Sequence, residues 1–227
     1  MKIKVCGMKY PDNINDLLRL PIDLIGLIFY EKSPRYAGSL NAGELGIVPS
    51  NVQKVGVFVD ENEENIWKKK EQYGLQMLQL HGSESPDLCK RLKDKGIKII
   101  KAFQIEKGKD LEKTACYETV CDYFLFDART PLYGGSGKKF DWRILSSYSS
   151  KKPFFLSGGI DKNDFEIIRQ CNIPQLYAVD LNSRFEISPG LKDISRIQDF
   201  LLPFIQANKL PVGEVPLENE KWKKNRS

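Results

Sequence analysis

Short runs of β-branched and aromatic residues recur along the chain, at residues 3–5, 24–29, 54–59, 76–80, 97–102, 123–126, 153–156 and 176–179. Each has the length and composition of a strand, and their spacing averages about 25 residues. Between them lie stretches with helical periodicity and helix start signals. Ser85 is placed to cap a helix whose first position is Pro86 and whose stop is Gly96. Residues 61–73, 162–171 and 194–207 carry the same pattern, with Pro203 expected to kink or shorten the last.

Strands that alternate with helices imply a parallel sheet, and strands apolar on both faces imply helices outside and a filled interior. Eight such units predict a single-domain α/β chain folded as a closed (β/α)8 TIM barrel over residues 1–208. An open doubly wound sheet is the competing arrangement. The first strand, however, lacks the G-x-G-x-x-G turn of a dinucleotide site. The pattern stops near Leu210, so residues 209–227 are expected to form a poorly ordered extension.

Composition narrows the class without changing the fold. Hydrophobic residues make up 41% of the 227 and charged residues 29%, as in an ordinary globular protein. No run approaches the length of a membrane span and no signal-peptide profile opens the chain, which predicts a cytoplasmic protein without a membrane partner. The five cysteines show no regular spacing, which argues against a disulfide framework, and Cys89, Cys116, Cys121 and Cys171 are expected to be packing residues. His81 is the single histidine and no Cys/His cluster exists, so no metal is assigned. The net charge of +5 is spread along the chain apart from Lys68–Lys70 and the tail, a pattern of solvated faces rather than nucleic-acid binding. A mild positive excess also suits an anionic small substrate. No large apolar stripe stands out, so a monomer is preferred to a homodimer.

Catalytic groups of a (β/α)8 barrel come from the C-terminal ends of the strands. Those positions hold Cys6, Lys32 to Arg35, Asp60, His81, Phe103-Gln104, Asp127, Ser157-Gly158-Gly159 and Asp180 to Ser183. A thiol at Cys6 and a carboxyl at Asp127 suggest a base and an acid. The small residues after strands 7 and 8 suggest backbone N–H groups that take a phosphate. Plainer readings stand beside these. Cys6 is also a small residue suited to burial, Asp127 a cap or ion-pair partner, Gly158-Gly159 a tight turn, and His81 a ring packed beside a pocket. Asp141, ahead of Trp142, reads as a helix cap.

Taken together, the segments Lys4-Val5-Cys6-Gly7-Met8, Phe29 to Tyr36, Val55 to Phe58, Leu78-Gln79-Leu80-His81-Gly82, Gly134 to Gly137 with Phe140-Asp141-Trp142, Leu156 to Ile160, Val179-Asp180 and Ser188 to Asp193 resemble the phosphoribosylanthranilate isomerases of tryptophan biosynthesis. The resemblance spans residues 2 to about 205 in family order. It implies an Amadori rearrangement without a cofactor, on a small phosphorylated substrate. It assigns Asp127 as general acid and Cys6 as general base, and Arg35 to the anthranilate carboxylate. The phosphate falls to the backbone around Ser157, Gly158, Gly159, Asp180 and Ser183, with His81, Gly135 and Asn182 also expected to bind substrate. The Gly134–Gly137 loop is expected to cover Asp127.

One departure stands out: where the family usually has Ser-Ser-Gly-Val-Glu, this chain has Asn182-Ser183-Arg184-Phe185-Glu186. Arg184 in place of glycine puts a positive φ at that loop in question, and offers a charge near the phosphate instead. Two rival classes are kept. Related barrels of tryptophan and histidine biosynthesis would want a catalytic lysine at a strand end, or paired aspartates after strands 1 and 5, where this chain has Cys6 and Phe103. A noncatalytic barrel that binds phosphorylated ligands would be expected to lack Cys6 or Asp127.

Overall fold

A computed structural model describes residues 1–45, 48–128 and 142–208. Eight parallel strands close on themselves in chain order: β1 (Lys2–Cys6), β2 (Leu24–Ile28), β3 (Gln53–Phe58), β4 (Met77–Leu80), β5 (Lys98–Ile105), β6 (Tyr123–Ala128), β7 (Phe154–Leu156) and β8 (Leu176–Leu181). The outer layer has α1 (Pro11–Leu17), α2 (Glu63–Tyr73), α3 (Pro86–Asp94), α4 (Phe165–Gln170) and α5 (Ile194–Asn208). A hairpin of β9 (Glu186–Ser188) and β10 (Leu191–Lys192) follows β8. The expected barrel is therefore the observed one, while residues 209–227, Asp141 and the Gly134–Gly137 loop lie outside the described residues.

Local chemistry accounts for the element ends. The Ser85 hydroxyl accepts the Leu88 N–H, Pro86 fills the first helical position of α3, and Gly96 beyond its end has φ +88°. Asn62 caps α2 in the same way, and Gly74 closes it in the left-handed conformation. After β2, β5 and β6 the described residues form 3-10 turns (Ala42–Leu45, Gly108–Tyr117 and Trp142–Ser147) in place of the full helix of a regular (β/α)8 repeat. Helix α5 contains Pro203 and runs on to Asn208, so the proline does not shorten it.

Two apolar clusters follow from strand alternation. Ile3, Val5, Ile25, Leu27, Leu78, Phe124 and Phe126 face outward and pack under the helices. Leu24, Val55, Met77, Ile100, Ala102, Leu125, Phe155 and Ala178 fill the barrel interior. Because neighbours in register share a face, the interior set fixes the direction of every other inward position. Lys4 pairs with Leu24 and Asp180, Val57 with Gln79, and Gln104 with Asp127 two positions beyond the Ala102–Leu125 pair. Lys4, Cys6, Gln79, Asp127 and Asp180 therefore all point inward, toward the C-terminal mouth.

Candidate active site

Cys6 ends β1 directly opposite Gly26 of β2, and a Cβ at Gly26 would lie 2.7 Å from the Cys6 sulfur. A larger residue there would displace the thiol, so Gly26 is what makes room for it. Gly7 follows with φ +77°, its N–H donating to the Gly26 carbonyl at 2.9 Å. A Cβ at Gly7 would meet Arg35 Cδ at 2.8 Å and Asn182 Oδ1 at 3.0 Å. One glycine thus lets the ends of β1, β8 and the segment after β2 converge beside the thiol.

Beneath Cys6, the Lys4 Nζ donates to Asp180 Oδ1 at 2.8 Å, with both side chains buried. Burial alone would lower the Lys4 pKa, but Asp180 and Cys6 reverse that and hold the ammonium above its ordinary value. Burial pushes the Asp180 carboxyl up, against the opposing pull of Lys4. It also pushes the Cys6 thiol up; Lys4 acts to lower it and Asp180 to raise it, and burial prevails. The thiol of the free protein therefore carries its proton at neutral pH. The pull of Lys4 toward the thiolate is present but insufficient by itself.

Across the mouth, Asp127 is about a quarter exposed, with His81 Nε2 at 3.6 Å from its Oδ2. The other ring nitrogen, Nδ1, lies 2.7 Å from Gln79 Nε2, and the His81 backbone N–H donates to the Phe58 carbonyl. Gln79 thus holds one edge of the ring while the other, Nε2, faces Asp127. Gln79 is buried and its Oε1 has no partner among the described residues. A cavity of about 460 Å³ opens beside His81, lined also by Gly82, Phe103, Gln104 and Tyr117.

The β7 turn places Gly158 at φ +93° and Gly159 at φ +70°, which explains two glycines in succession. The Ser157 N–H donates to the Phe126 carbonyl at 2.8 Å, and the turn continues from it through Gly158 and Gly159. After β8, Ser183–Phe185 form a 3-10 turn closed by the Phe185 N–H on the Asn182 carbonyl. Arg184 has no positive φ, so the departure from glycine costs no backbone strain here. Gly135 lies outside the described residues.

Arg35 is engaged by a residue that sequence reasoning did not single out. Its Nε and Nη2 donate to both oxygens of Glu186, the closest contact being 2.6 Å. Glu186 also accepts from Lys192 Nζ at 2.7 Å, and Lys192 reaches Asn182 Oδ1 at 2.8 Å. Although burial opposes its charge, Arg35 and Lys192 draw the Glu186 carboxyl below its ordinary value. The signal lay within the quoted motifs, since Glu186 and Lys192 sit in the segments after strand 8. Nothing local in the sequence showed that a hairpin folds them back onto Arg35.

Cys116 and Cys171, expected to pack, are exposed, while Cys89 and Cys121 are buried. No helix among the described residues is long and apolar enough to cross a membrane.

A closed parallel barrel with a thiol, carboxyl groups and a glycine turn at its C-terminal mouth defines an enzyme-type (β/α)8 barrel with acid–base groups. Comparison with known proteins narrows the class. The family described as N-(5'-phosphoribosyl)anthranilate isomerase matches residues 3–202. The chain is 46% identical over 217 residues to the N-(5'-phosphoribosyl)anthranilate isomerase of Parabacteroides distasonis, covering 93% of this chain and 98% of that protein. It superimposes on the phosphoribosyl anthranilate isomerase of Thermotoga maritima with a TM-score of 0.78 at 32% identity, over 92% of this chain and 100% of that one. A further isomerase structure, solved with reduced 1-(o-carboxyphenylamino)-1-deoxyribulose 5-phosphate, superimposes with a TM-score of 0.75 at 27% identity, over 92% and 100% of the two chains. The chain belongs to the N-(5'-phosphoribosyl)anthranilate isomerase family.

Proposed function

We propose that this isomerase converts N-(5-phosphoribosyl)anthranilate into 1-(2-carboxyphenylamino)-1-deoxyribulose 5-phosphate, with Asp127 as general acid and Cys6 as general base. The observation that carries the assignment is the inward register of both residues at the C-terminal ends of β6 and β1. Protonated Asp127 gives its proton to the furanose ring oxygen as the C1–O bond breaks, leaving an iminium at C1. As that cation forms, the Cys6 thiol loses its own proton to solvent, to be regained when product leaves, and the thiolate removes the acidified C2 hydrogen to give an enolamine. The thiol then returns a proton to C1 while the C2 hydroxyl gives its own back to Asp127, yielding the ketone and restoring both groups.

The electrostatics fit this order of events. A buried thiol resists ionisation, but a substrate cation formed beside it, with Lys4 close by, favours the thiolate at the step that needs it. Arg35 takes the anthranilate carboxylate, for which its planar fork is suited. The backbone around Ser157, Gly158, Gly159, Asp180 and Ser183 takes the phosphate, and His81, Gly135 and Asn182 bind other parts of the substrate. The protein works as a cytoplasmic monomer; among the described residues the exposed large apolar side chains, Met1, Ile167, Ile187 and Leu202, form no continuous run in the sequence.

Freshly generated N-(5-phosphoribosyl)anthranilate, incubated with the protein without added metal or cofactor, is expected to yield the ketose product by chromatography. Folded protein that binds the substrate without converting it would instead mark a noncatalytic barrel for phosphorylated ligands.

A further inference from the structure

The ion cluster on the β9–β10 hairpin is built more elaborately than a staple for a two-strand ribbon requires. Glu186 and Lys192 are register partners across the hairpin. Besides Arg35 and Lys192, Glu186 accepts the Gly190 N–H at 3.0 Å. The hairpin is anchored to α1, since Asn13 accepts the Lys192 N–H at 2.7 Å and donates to its carbonyl at 2.9 Å. The side chains of Arg35, Glu186 and Lys192 are 9%, 5% and 0% exposed.

Two cations share one carboxylate here, and the nearby Lys4–Asp180 pair is already balanced. A buried cluster with one positive charge in excess is unfavourable by itself, and an anion completes it. Burial accordingly lowers Lys192 to about 8 in spite of Glu186. Geometry supplies the place for that anion. Glu186 occupies the Nε–Nη2 edge of the Arg35 guanidinium, which among the described residues leaves the Nη1–Nη2 edge as a second bidentate fork. Arg35 and Asn182, the two groups this hairpin grips, are also the two that abut Gly7 beside Cys6.

We propose that Glu186 and Lys192 are positioning residues for the isomerisation: Glu186 aims the free edge of Arg35 at the substrate carboxylate, and Lys192 fixes Asn182 beside it. The proposal rests on the reading that Arg35 takes that carboxylate. Neither residue touches substrate; both act through the groups they hold.

The test compares wild type, Glu186→Gln, Glu186→Asp, Lys192→Gln and Arg35→Ala in steady-state turnover. It adds the affinities of the reduced product analogue and of the same compound without its carboxyl group. Glu186→Gln and Lys192→Gln are expected to raise KM about tenfold, the loss falling on KM more than on kcat. Glu186→Gln should also lose preference for the carboxyl-bearing analogue, and Glu186→Asp should recover part of it. Affinity for the carboxyl-free analogue should hardly change. If Arg35→Ala loses that preference and folded Glu186→Gln keeps it, the positioning role is wrong while the Arg35 reading stands. If Arg35→Ala keeps it, the Arg35 reading fails and the proposal falls with it. Equal weakening of both analogues in the Glu186 variants would reduce the cluster to a structural clamp.

Discussion

Cys6 and Gly26 face each other across β1 and β2, and the absence of a side chain at Gly26 is what admits the Cys6 sulfur, 2.7 Å from where a Cβ would stand. Gly26→Ala should therefore displace the thiol. Overpacking of this kind costs about 1–3 kcal/mol. The variant should lose kcat more than tenfold, about what a catalytic group misplaced by an ångström forfeits. Urea unfolding together with steady-state kinetics on the folded variant checks both numbers.

The Lys4–Asp180 pair lies wholly inside the barrel, so its two halves cannot be removed independently. Lys4→Met strands a buried carboxylate and is expected to cost about 3–5 kcal/mol. Lys4→Met combined with Asp180→Leu should recover much of that stability, without activity. Chemical denaturation of the two single variants and the double variant gives the coupling directly.

Burial raises the Cys6 thiol above the 9.0 of an ordinary cysteine, so the free protein binds that proton more tightly folded than unfolded. The stability this confers is fully present below pH 9.0 and is lost as pH rises through the folded value. Wild type should lose stability relative to Cys6→Ala only in that alkaline window. Iodoacetamide mapped by mass spectrometry should label Cys116 and Cys171 at neutral pH well before Cys6.

The barrel was legible in the sequence because strands buried on both faces must be continuously apolar, and eight such runs alternated with capped segments such as Ser85-Pro86. The 3-10 turns after β2, β5 and β6 were less legible, since short apolar stretches there satisfy either helix period. Within the site, Cys6 and Asp127 stood out because their residue types break an apolar run. Gly26, Gln79, Glu186 and Lys192 did not. Gly26 matters only through its neighbour across the sheet, and Gln79 only through the ring nitrogen of His81. Glu186 meets Arg35 across a separation of 151 residues, a contact that no local pattern encodes.

The pairing of a base at Cys6 with an acid at Asp127 is tested most directly by the fluorescence decay of N-(5-phosphoribosyl)anthranilate under wild type, Cys6→Ala and Asp127→Asn. Rapid decay with wild type, slowed by a factor of about 10² to 10⁴ in each variant, is the predicted result. Near-normal decay with either folded variant would contradict the mechanism and remove that residue from it.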